Sequence, residues 1–181
     1  MKKINEIFYS LQGEGYHTGT PAVFVRFSGC NLRCPFCDTM HEEGTWMSDV
    51  AIVDQVCRFP AEMVILTGGE PGLWVDDALI SLLHRHGKYV CIETNGTCRL
   101  PEHINWVTCS PKEGGKVVLN HVDEVKVVYT GQDVSMYAAM KADFHFLQPC
   151  SCANTSEVVD YILAHPLWRL SLQTHKLISI Q

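Results

Sequence analysis

The residues with the clearest chemical capacity stand between 26 and 39, in the run Arg-Phe-Ser-Gly-Cys-Asn-Leu-Arg-Cys-Pro-Phe-Cys-Asp-Thr, where Cys30, Cys34 and Cys37 follow a C-x3-C-x2-C spacing. Three soft thiolates this close in the chain can converge on one metal centre, because the short loops between them lose little entropy on closure. Their number is informative. A structural zinc site takes four protein ligands in a closed tetrahedron, and in a ferredoxin every iron of the cluster is held by protein. Three cysteines on a four-iron, four-sulfur (4Fe-4S) cube leave one iron to be ligated by something small, and the cube then becomes a reagent instead of an electron wire. A second group is Thr67-Gly68-Gly69-Glu70-Pro71. Its two glycines let backbone groups approach a ligand closely, and the adjacent carboxylate can accept from an ammonium group. By itself the run reads equally as a strand-to-loop turn.

These residues need strands and loops to position them, and the pattern alternates strand and helix signals. Ile4 to Leu11 reads as a strand, and so does Ala22 to Ser28, with Val23, Val25 and Phe27 on one face and Phe24, Arg26 and Ser28 on the other. Ser48 caps a helix running to about Phe59, where Pro60 stops it. Met63 to Leu66 is a short apolar strand entering the glycine turn, a helix from about Val75 to His86 closes at Gly87, and Tyr89 to Glu93 is the next strand. Further strands fall at Trp106 to Cys109, Glu124 to Tyr129 and Phe144 to Leu147. Asn154 and Glu157 have the spacing of a capping box for a helix ending near Pro166, and residues 170 to 181 read as a last extended segment. Residues 135 to 152 carry no motif.

Short apolar strands alternating with helices point to an α/β fold with a parallel sheet and right-handed crossovers. A full eight-stranded barrel takes about 250 residues, so this chain of 181 builds a shortened, partly open parallel (β/α) barrel. In such barrels the chemistry sits beyond the carboxyl ends of the strands. That rule gathers Gln12 to Gly15, Gly29 to Thr39, Thr67 to Pro71, Glu93 to Thr97, Ser110 to Gly115 and Gln148 to Cys152 on one expected surface.

With 46% hydrophobic residues the chain suffices for one core, and 1–181 reads as a single domain. A net charge of -6 gives no footprint for nucleic acid or for an anionic membrane surface, both of which need clustered positive charge. No apolar run approaches the roughly 18 residues of a membrane span. Asn5 and Glu6 interrupt what would otherwise resemble a signal peptide, so the chain reads as cytoplasmic. A reduced compartment also suits its nine cysteines. Outside the triad, Cys57, Cys91, Cys98, Cys109, Cys150 and Cys152 are scattered over predicted elements and read as small hydrophobes.

At the cysteine loop, with aromatic Phe36 ahead of its last cysteine, and again at Gly-Gly-Glu-Pro, the chain resembles the radical S-adenosylmethionine (SAM) enzymes. Leu11-Gln12-Gly13-Glu14-Gly15, Arg26 ahead of the triad and Cys37-Asp38-Thr39 closing it narrow the resemblance. With Glu93-Thr94-Asn95-Gly96-Thr97, Ser110-Pro111-Lys112 and Gln173-Thr174-His175-Lys176 it extends over essentially the whole chain to the 7-carboxy-7-deazaguanine synthases. The resemblance implies a small homodimeric lyase of queuosine and deazapurine biosynthesis. Such an enzyme takes 6-carboxy-5,6,7,8-tetrahydropterin, contracts its pyrazine ring and releases ammonia. It uses SAM, one 4Fe-4S cluster, Mg2+ and an external reductant such as flavodoxin. The cluster delivers one electron to SAM, giving methionine and a 5'-deoxyadenosyl radical that abstracts hydrogen from the carbon bearing the carboxylate.

The resemblance also implies roles. Cys30, Cys34 and Cys37 hold the cluster, and Phe36, Cys37 and Asp38 lie along SAM with their backbone reading its adenine. Gly69 backbone and the Glu70 side chain hold the methionyl amino group, and Ser110, Pro111 and Lys112 line SAM on its far side. Thr39 offers a hydroxyl to magnesium, a hard cation that completes its shell with water and substrate oxygens. Leu11, Gln12 and Gly13 hold the pterin edge, Arg26 takes the substrate carboxylate or ring oxygen, Thr67 reaches the substrate, and Gln181 folds over to meet it with His175 nearby.

Without the resemblance, several of these residues have plainer readings. An arginine beside a sheet edge is usually paired or solvated, Thr39 suits a turn cap, Glu93 to Gly96 suits a strand end, and His175 suits a satisfied core histidine. The triad alone also fits a glycyl-radical-enzyme activating enzyme acting on a protein partner, a non-catalytic electron-transfer iron-sulfur protein or a zinc-binding module. Leu-Gln-Gly-Glu-Gly stands against the first, and the second needs a fourth cysteine ligand.

Overall fold

Strand β2 (Pro21–Phe27) shows how the architecture is built. In an extended chain successive side chains point to opposite faces, so Val23, Val25 and Phe27 form one row and Phe24, Arg26 and Ser28 the other. The first row is fully buried. In the computed structural model, which describes residues 1–35, 37 and 42–181, it packs beneath two helices. These are α1 (Asp49–Val56), opened by Ser48 accepting from the Ala51 amide, and α2 (Asp77–Arg85), opened by Asp76 accepting from Leu79. Each capping oxygen satisfies an amide that would otherwise have no partner in the first turn. Ile52, Val53 and Val56 of α1 and Leu79, Ile80 and Leu83 of α2 close over this outer face. Burying each such aliphatic side chain contributes about 1.5–3 kcal/mol.

The described residues form one nine-stranded sheet. The remaining strands are β1 (Lys2–Leu11), β3 (Thr45–Met47), β4 (Met63–Gly68), β5 (Tyr89–Thr94), β6 (Trp106–Cys109), β7 (Val122–Tyr129), β8 (Ala142–Pro149) and β9 (Arg169–Leu170). Their order is β3-β1-β2-β4-β5-β6-β7-β8-β9, parallel from β2 onward. The sheet is a partly open α/β barrel whose two edge strands do not pair. A second outer cluster under α4 (Thr155–Ala164) joins Val125, Val127, Leu147, Val158 and Trp168.

The inner face is what positions chemistry. Phe24, Ile65, Cys91 and Trp106 stand in register across β2, β4, β5 and β6 as an apolar row. Two residues further along, the register passes through Arg26 and Thr67, then Glu93, Thr108, Glu124 and Phe144, and the row turns polar. Below the apolar row, Tyr16 stacks on Trp106 at 4.8 Å and lies 4.6 Å from the Phe144 ring, and His17 meets Trp106 edge-on. The lower end is thereby plugged by rings, and the cavity inside the sheet opens towards the carboxyl ends.

Three expectations are corrected. β1 runs antiparallel to β2, as does β3 to β1, so the residues after Leu11 emerge at the lower end of β2 and not with the other strand-end loops. Gln12 to Gly15 fold inward from below. Asn154 does not build a capping box. Its side chain accepts from the Cys150 amide and donates to the Tyr129 carbonyl, tying β7 to β8, and makes no cap hydrogen bond to the helix it precedes. Residues 170–181 are not extended throughout, since Thr174–Leu177 form a short helix, α5. In the stretch 135–152, which carries no motif, another short helix, α3 (Ser135–Ala138), precedes β8, and β8 extends the strand expected at Phe144 to Leu147 at both ends.

Leu66, fully buried between β2, β5 and the two helices, tests the outer core. Leu66→Ala should lower stability by about 2–5 kcal/mol, read as a reduced urea midpoint with an unchanged transition slope.

Candidate active site

The inner face and the loops above it enclose a cavity of 1110 Å³. Its floor is an ion cluster. Lys126 on β7 has 4% of its side chain exposed and places Nζ 2.8 Å from Glu14 and 2.7 Å from Glu93. Gln12 donates to the other Glu93 oxygen at 2.6 Å, and Gln173 donates to Glu14 at 2.9 Å. Burial opposes the charge on Glu14, yet Lys126 and the amide of Gln173 hold it at about 2. Lys126 is likewise held above the ordinary lysine range: burial works against its charge, and Glu14, Glu93 and Glu124 outweigh burial. Glu124, 2% exposed, goes the other way. Burial pushes it up to about 7, against the pull of Lys126 and the hydrogen bond from the Tyr16 amide.

The same floor closes the open side of the barrel. After β9 the chain crosses back to the loop after β1. Ser171 accepts from the Gly15 amide at 2.9 Å, and Thr174 donates from its amide and hydroxyl to the Gly13 carbonyl. Gly13 is required here, because a Cβ would overlap the ring of His175. One wall of the cavity carries Arg26 and Thr67. Arg26 Nε donates to Glu6 at 2.8 Å, and its guanidinium carbon sits 5.7 Å from the centre of the Phe8 ring. Gln181 comes over the same wall, donating to the second Glu6 oxygen at 2.8 Å and accepting from Ser10 at 2.6 Å. Leu11, Gln12 and Gly13 also line the cavity.

Cys30, Cys34 and Cys37 reach the cavity from the loop after β2. None of the three is in a disulfide among the described residues. The sulfur of Cys30 faces the Leu32 amide at 3.4 Å and the Asn95 side-chain amide at 3.9 Å. Cys34 is pushed up by burial and by the charges of Cys30 and Cys37, with Lys112 opposing. Soft sulfur ligands gathered at one cavity and met by amide donors fit a shared cationic centre, so these residues suit the cluster. Gly69 lies under Cys30, with its amide donating to the Phe27 carbonyl and the Glu70 amide donating to the Gly29 carbonyl. A Cβ on Gly69 would overlap that Gly29 carbonyl, so glycine is what allows the two strand-end loops to cross. Gly69 backbone, Ser110 and Lys112 line the cavity, which suits a SAM-sized ligand next to the cysteines.

Two placements differ from the sequence reading. The Glu70 side chain is fully buried and turned away from the cavity. Its oxygens accept from the Gly72 amide, the Thr94 hydroxyl and the Asn95 amide, so it clamps the loop after β4 to the loop after β5. Pro111 is buried as well, leaving Ser110 and Lys112, both half-buried, as the members of their motif that line the cavity. Phe36, Asp38 and Thr39 lie outside the described residues. Sequence reasoning missed Lys126 and Glu6 and gave Glu14 no side-chain role. Glu124 and Lys126 carried a usable signal, as two charges spaced by two within the apolar strand Val-Asp-Glu-Val-Lys-Val-Val-Tyr.

A partly open parallel barrel with a three-cysteine loop and a glycine turn at its carboxyl end is the architecture of a radical SAM enzyme, and the Radical SAM superfamily model matches residues 24–107. The chain is 68% identical to the 7-carboxy-7-deazaguanine synthase of Bacteroides thetaiotaomicron over 100% of both proteins, and 41% identical to that of Nitratidesulfovibrio vulgaris over 98% of each. The crystal structure of QueE from Escherichia coli matches with a TM-score of 0.80 and 32% identity, covering 94% of this chain and 93% of that one. The chain belongs to the 7-carboxy-7-deazaguanine synthase family.

Glu124 and Glu14 make opposite contributions to the dependence of stability on pH. Glu124 binds its proton more tightly folded, at about 7, than at the ordinary 4.5, so stability falls as pH rises from 4.5 towards 7. Glu124→Gln should abolish that decline in urea midpoints. Glu14 is depressed from 4.5 to about 2, so its contribution is complete above 4.5 and is lost as pH falls towards 2. Lys126→Met leaves two buried carboxylates without their cation and should cost about 3–5 kcal/mol at neutral pH, with a smaller deficit in acid.

Proposed function

We propose that this chain converts 6-carboxy-5,6,7,8-tetrahydropterin to 7-carboxy-7-deazaguanine by ring contraction with loss of ammonia, as a radical SAM lyase of queuosine and deazapurine biosynthesis. The observation that carries this reading is the polarity of one cavity. The terminal nitrogens of Arg26 meet no protein acceptor among the described residues, while Glu14 and Glu93 present carboxylate oxygens from the floor. A pterin carboxylate suits a guanidinium fork, and the donor-rich edge of an aminopyrimidinone suits carboxylates. Family membership removes the other readings of the cysteine triad, the activating enzyme, the electron carrier and the zinc module.

Cys30, Cys34 and Cys37 would hold the 4Fe-4S cluster, and Gly69 backbone, Ser110 and Lys112 would hold SAM beside it. Together these cofactors supply, when bound, the one-electron chemistry that starts the reaction. The protein's own part is positioning. The Lys126 cluster fixes Glu14 and Glu93 without freedom to rotate, so the ring cannot turn in its plane. Arg26 fixes the opposite end, and Thr67 adds a hydroxyl between them. Holding the target carbon still is worth several orders of magnitude in rate when the attacking species is unselective. The Tyr16, His17 and Trp106 plug excludes water from below.

Further assignments belong to the same proposal. Phe36, Cys37 and Asp38 read the SAM adenine, and Thr39 gives a hydroxyl to Mg2+, with substrate oxygens and water completing its shell. Leu11, Gln12, Gly13 and Gln181 border the pterin. An external reductant such as flavodoxin supplies the electron, residues 1–181 act as one domain, and the chain pairs as a homodimer in the cytoplasm. Exposed Leu163, Leu167 and Leu170 near β9 give apolar surface for such pairing, and no helix among the described residues is long and apolar enough to cross a membrane.

Anaerobic incubation of the reconstituted protein with 6-carboxytetrahydropterin, SAM, Mg2+ and a reductant should yield 7-carboxy-7-deazaguanine and ammonia. Cys34→Ala should abolish product. Wild-type turnover in that variant would remove the cluster assignment, and turnover unchanged by a chelator would remove magnesium.

A further inference from the structure

Glu6 is assigned no part in the chemistry, yet its geometry is specific. Ile4 pairs with Phe27 and Glu6 pairs with Arg26, so two residues advance along β1 while one advances along β2. Asn5 is the extra residue of this bulge. Ile4 faces the outer core with 3% exposure, and without the bulge Glu6 would share that face. The extra residue turns Glu6 inward, opposite Arg26. Bulges beside functional sites commonly re-aim a side chain in this way.

Once inside, the carboxylate is divided between two partners. One oxygen accepts from Arg26 Nε and the other from the Gln181 side-chain amide, each at 2.8 Å. Arg26 is also steadied over the Phe8 ring, which stacks on Phe24 with centroids 4.8 Å apart and planes 5° apart. A guanidinium can present a carboxylate with either its side edge, through Nε, or its end, through both terminal nitrogens. Glu6 occupies Nε, so only the end-on fork remains for a ligand. The chain's last residue is held by the same carboxylate and by Ser10, on the same face of β1.

We propose that Glu6 is a positioning residue that fixes the end-on aim of Arg26 and couples that aim to the docking of Gln181. This rests on the reading that Arg26 receives the substrate carboxylate. Capture of the carboxylate and docking of the tail then share one support: the carboxylate that aims Arg26 also holds Gln181, and a docked tail keeps Glu6 in place.

The test uses the reconstituted, SAM-loaded protein and two fluorescent probes, 6-carboxypterin and pterin, the second lacking the carboxylate. Wild type should prefer 6-carboxypterin, and Arg26→Ala should lose the preference. Glu6→Ala, which removes the hydrogen bonds to both Arg26 and Gln181, should weaken 6-carboxypterin about tenfold or more, while pterin, which does not engage Arg26, weakens by a clearly smaller factor. Glu6→Gln keeps an acceptor for Nε and should restore most of the affinity. Removing Gln181 should weaken 6-carboxypterin in wild type and add nothing in the Glu6→Ala background. Equal or tighter 6-carboxypterin binding by Glu6→Ala overturns the proposal, as does equal weakening of both probes. Losses from Glu6→Ala and Gln181 removal that simply add overturn the coupling. A wild type that does not distinguish the probes removes the Arg26 reading itself, whereas an intact preference in Glu6→Ala removes only the role of Glu6.

Discussion

The structure depends on one buried cation. Lys126 stands on β7 in the middle of the lumen, where an unpaired ammonium group would be costly, and it is stable there because carboxylates arrive from two other parts of the chain. Glu93 comes from β5 and Glu14 from the loop after β1. Gln12 and Gln173 complete their hydrogen bonds. A sheet whose edges do not pair leaves a gap, and here the gap is bridged by polar contacts converging on this charge instead of by another ladder of strand hydrogen bonds. The ion cluster therefore does two things: it holds the floor of the cavity and it draws the tail after β9 across the open side.

The apolar layers make that arrangement possible without touching the ligand. Outer-face valines, leucines and isoleucines lock β2, β4 and β5 beneath α1 and α2, so the inner-face residues of those strands keep a fixed register. The chain then needs only to change residue type along each strand, from Phe24 to Arg26, Ile65 to Thr67 and Cys91 to Glu93, to turn a packed core into a polar chamber. Cys91 lies in the packed row and its thiol is pushed up by burial, as befits a core residue, while the cysteines of the triad lie in the loop above. Glu70 works on the same principle. Its carboxylate gathers three donors from two loops and so shapes the rim that the glycines leave open.

The relation between Glu6, Arg26 and Gln181 illustrates how little of such a site is local. A residue at the start of the chain, one on the second strand and the last one meet at a single carboxylate. The meeting depends on one extra residue in β1, whose effect is to reverse which face the following side chains take.

The sequence by itself determined the α/β class, the alternation of strands and helices and the cysteine loop with its glycine turn, because these are written in local periodicity, capping residues and short spacings. Val23, Val25 and Phe27 announced their common face, and Ser48 its helix. Only the tertiary structure decided that β1 runs antiparallel, that Glu14 swings in from the lower end to reach Lys126, that Asn154 ties two strands together and caps no helix, and that Glu70 faces inward to its own backbone. The physical reason is range: a periodic pattern records which face a residue takes, whereas the partner of a buried charge is fixed by packing among segments more than a hundred residues apart, as Glu14 and Lys126 are, and by the cost of leaving that charge alone.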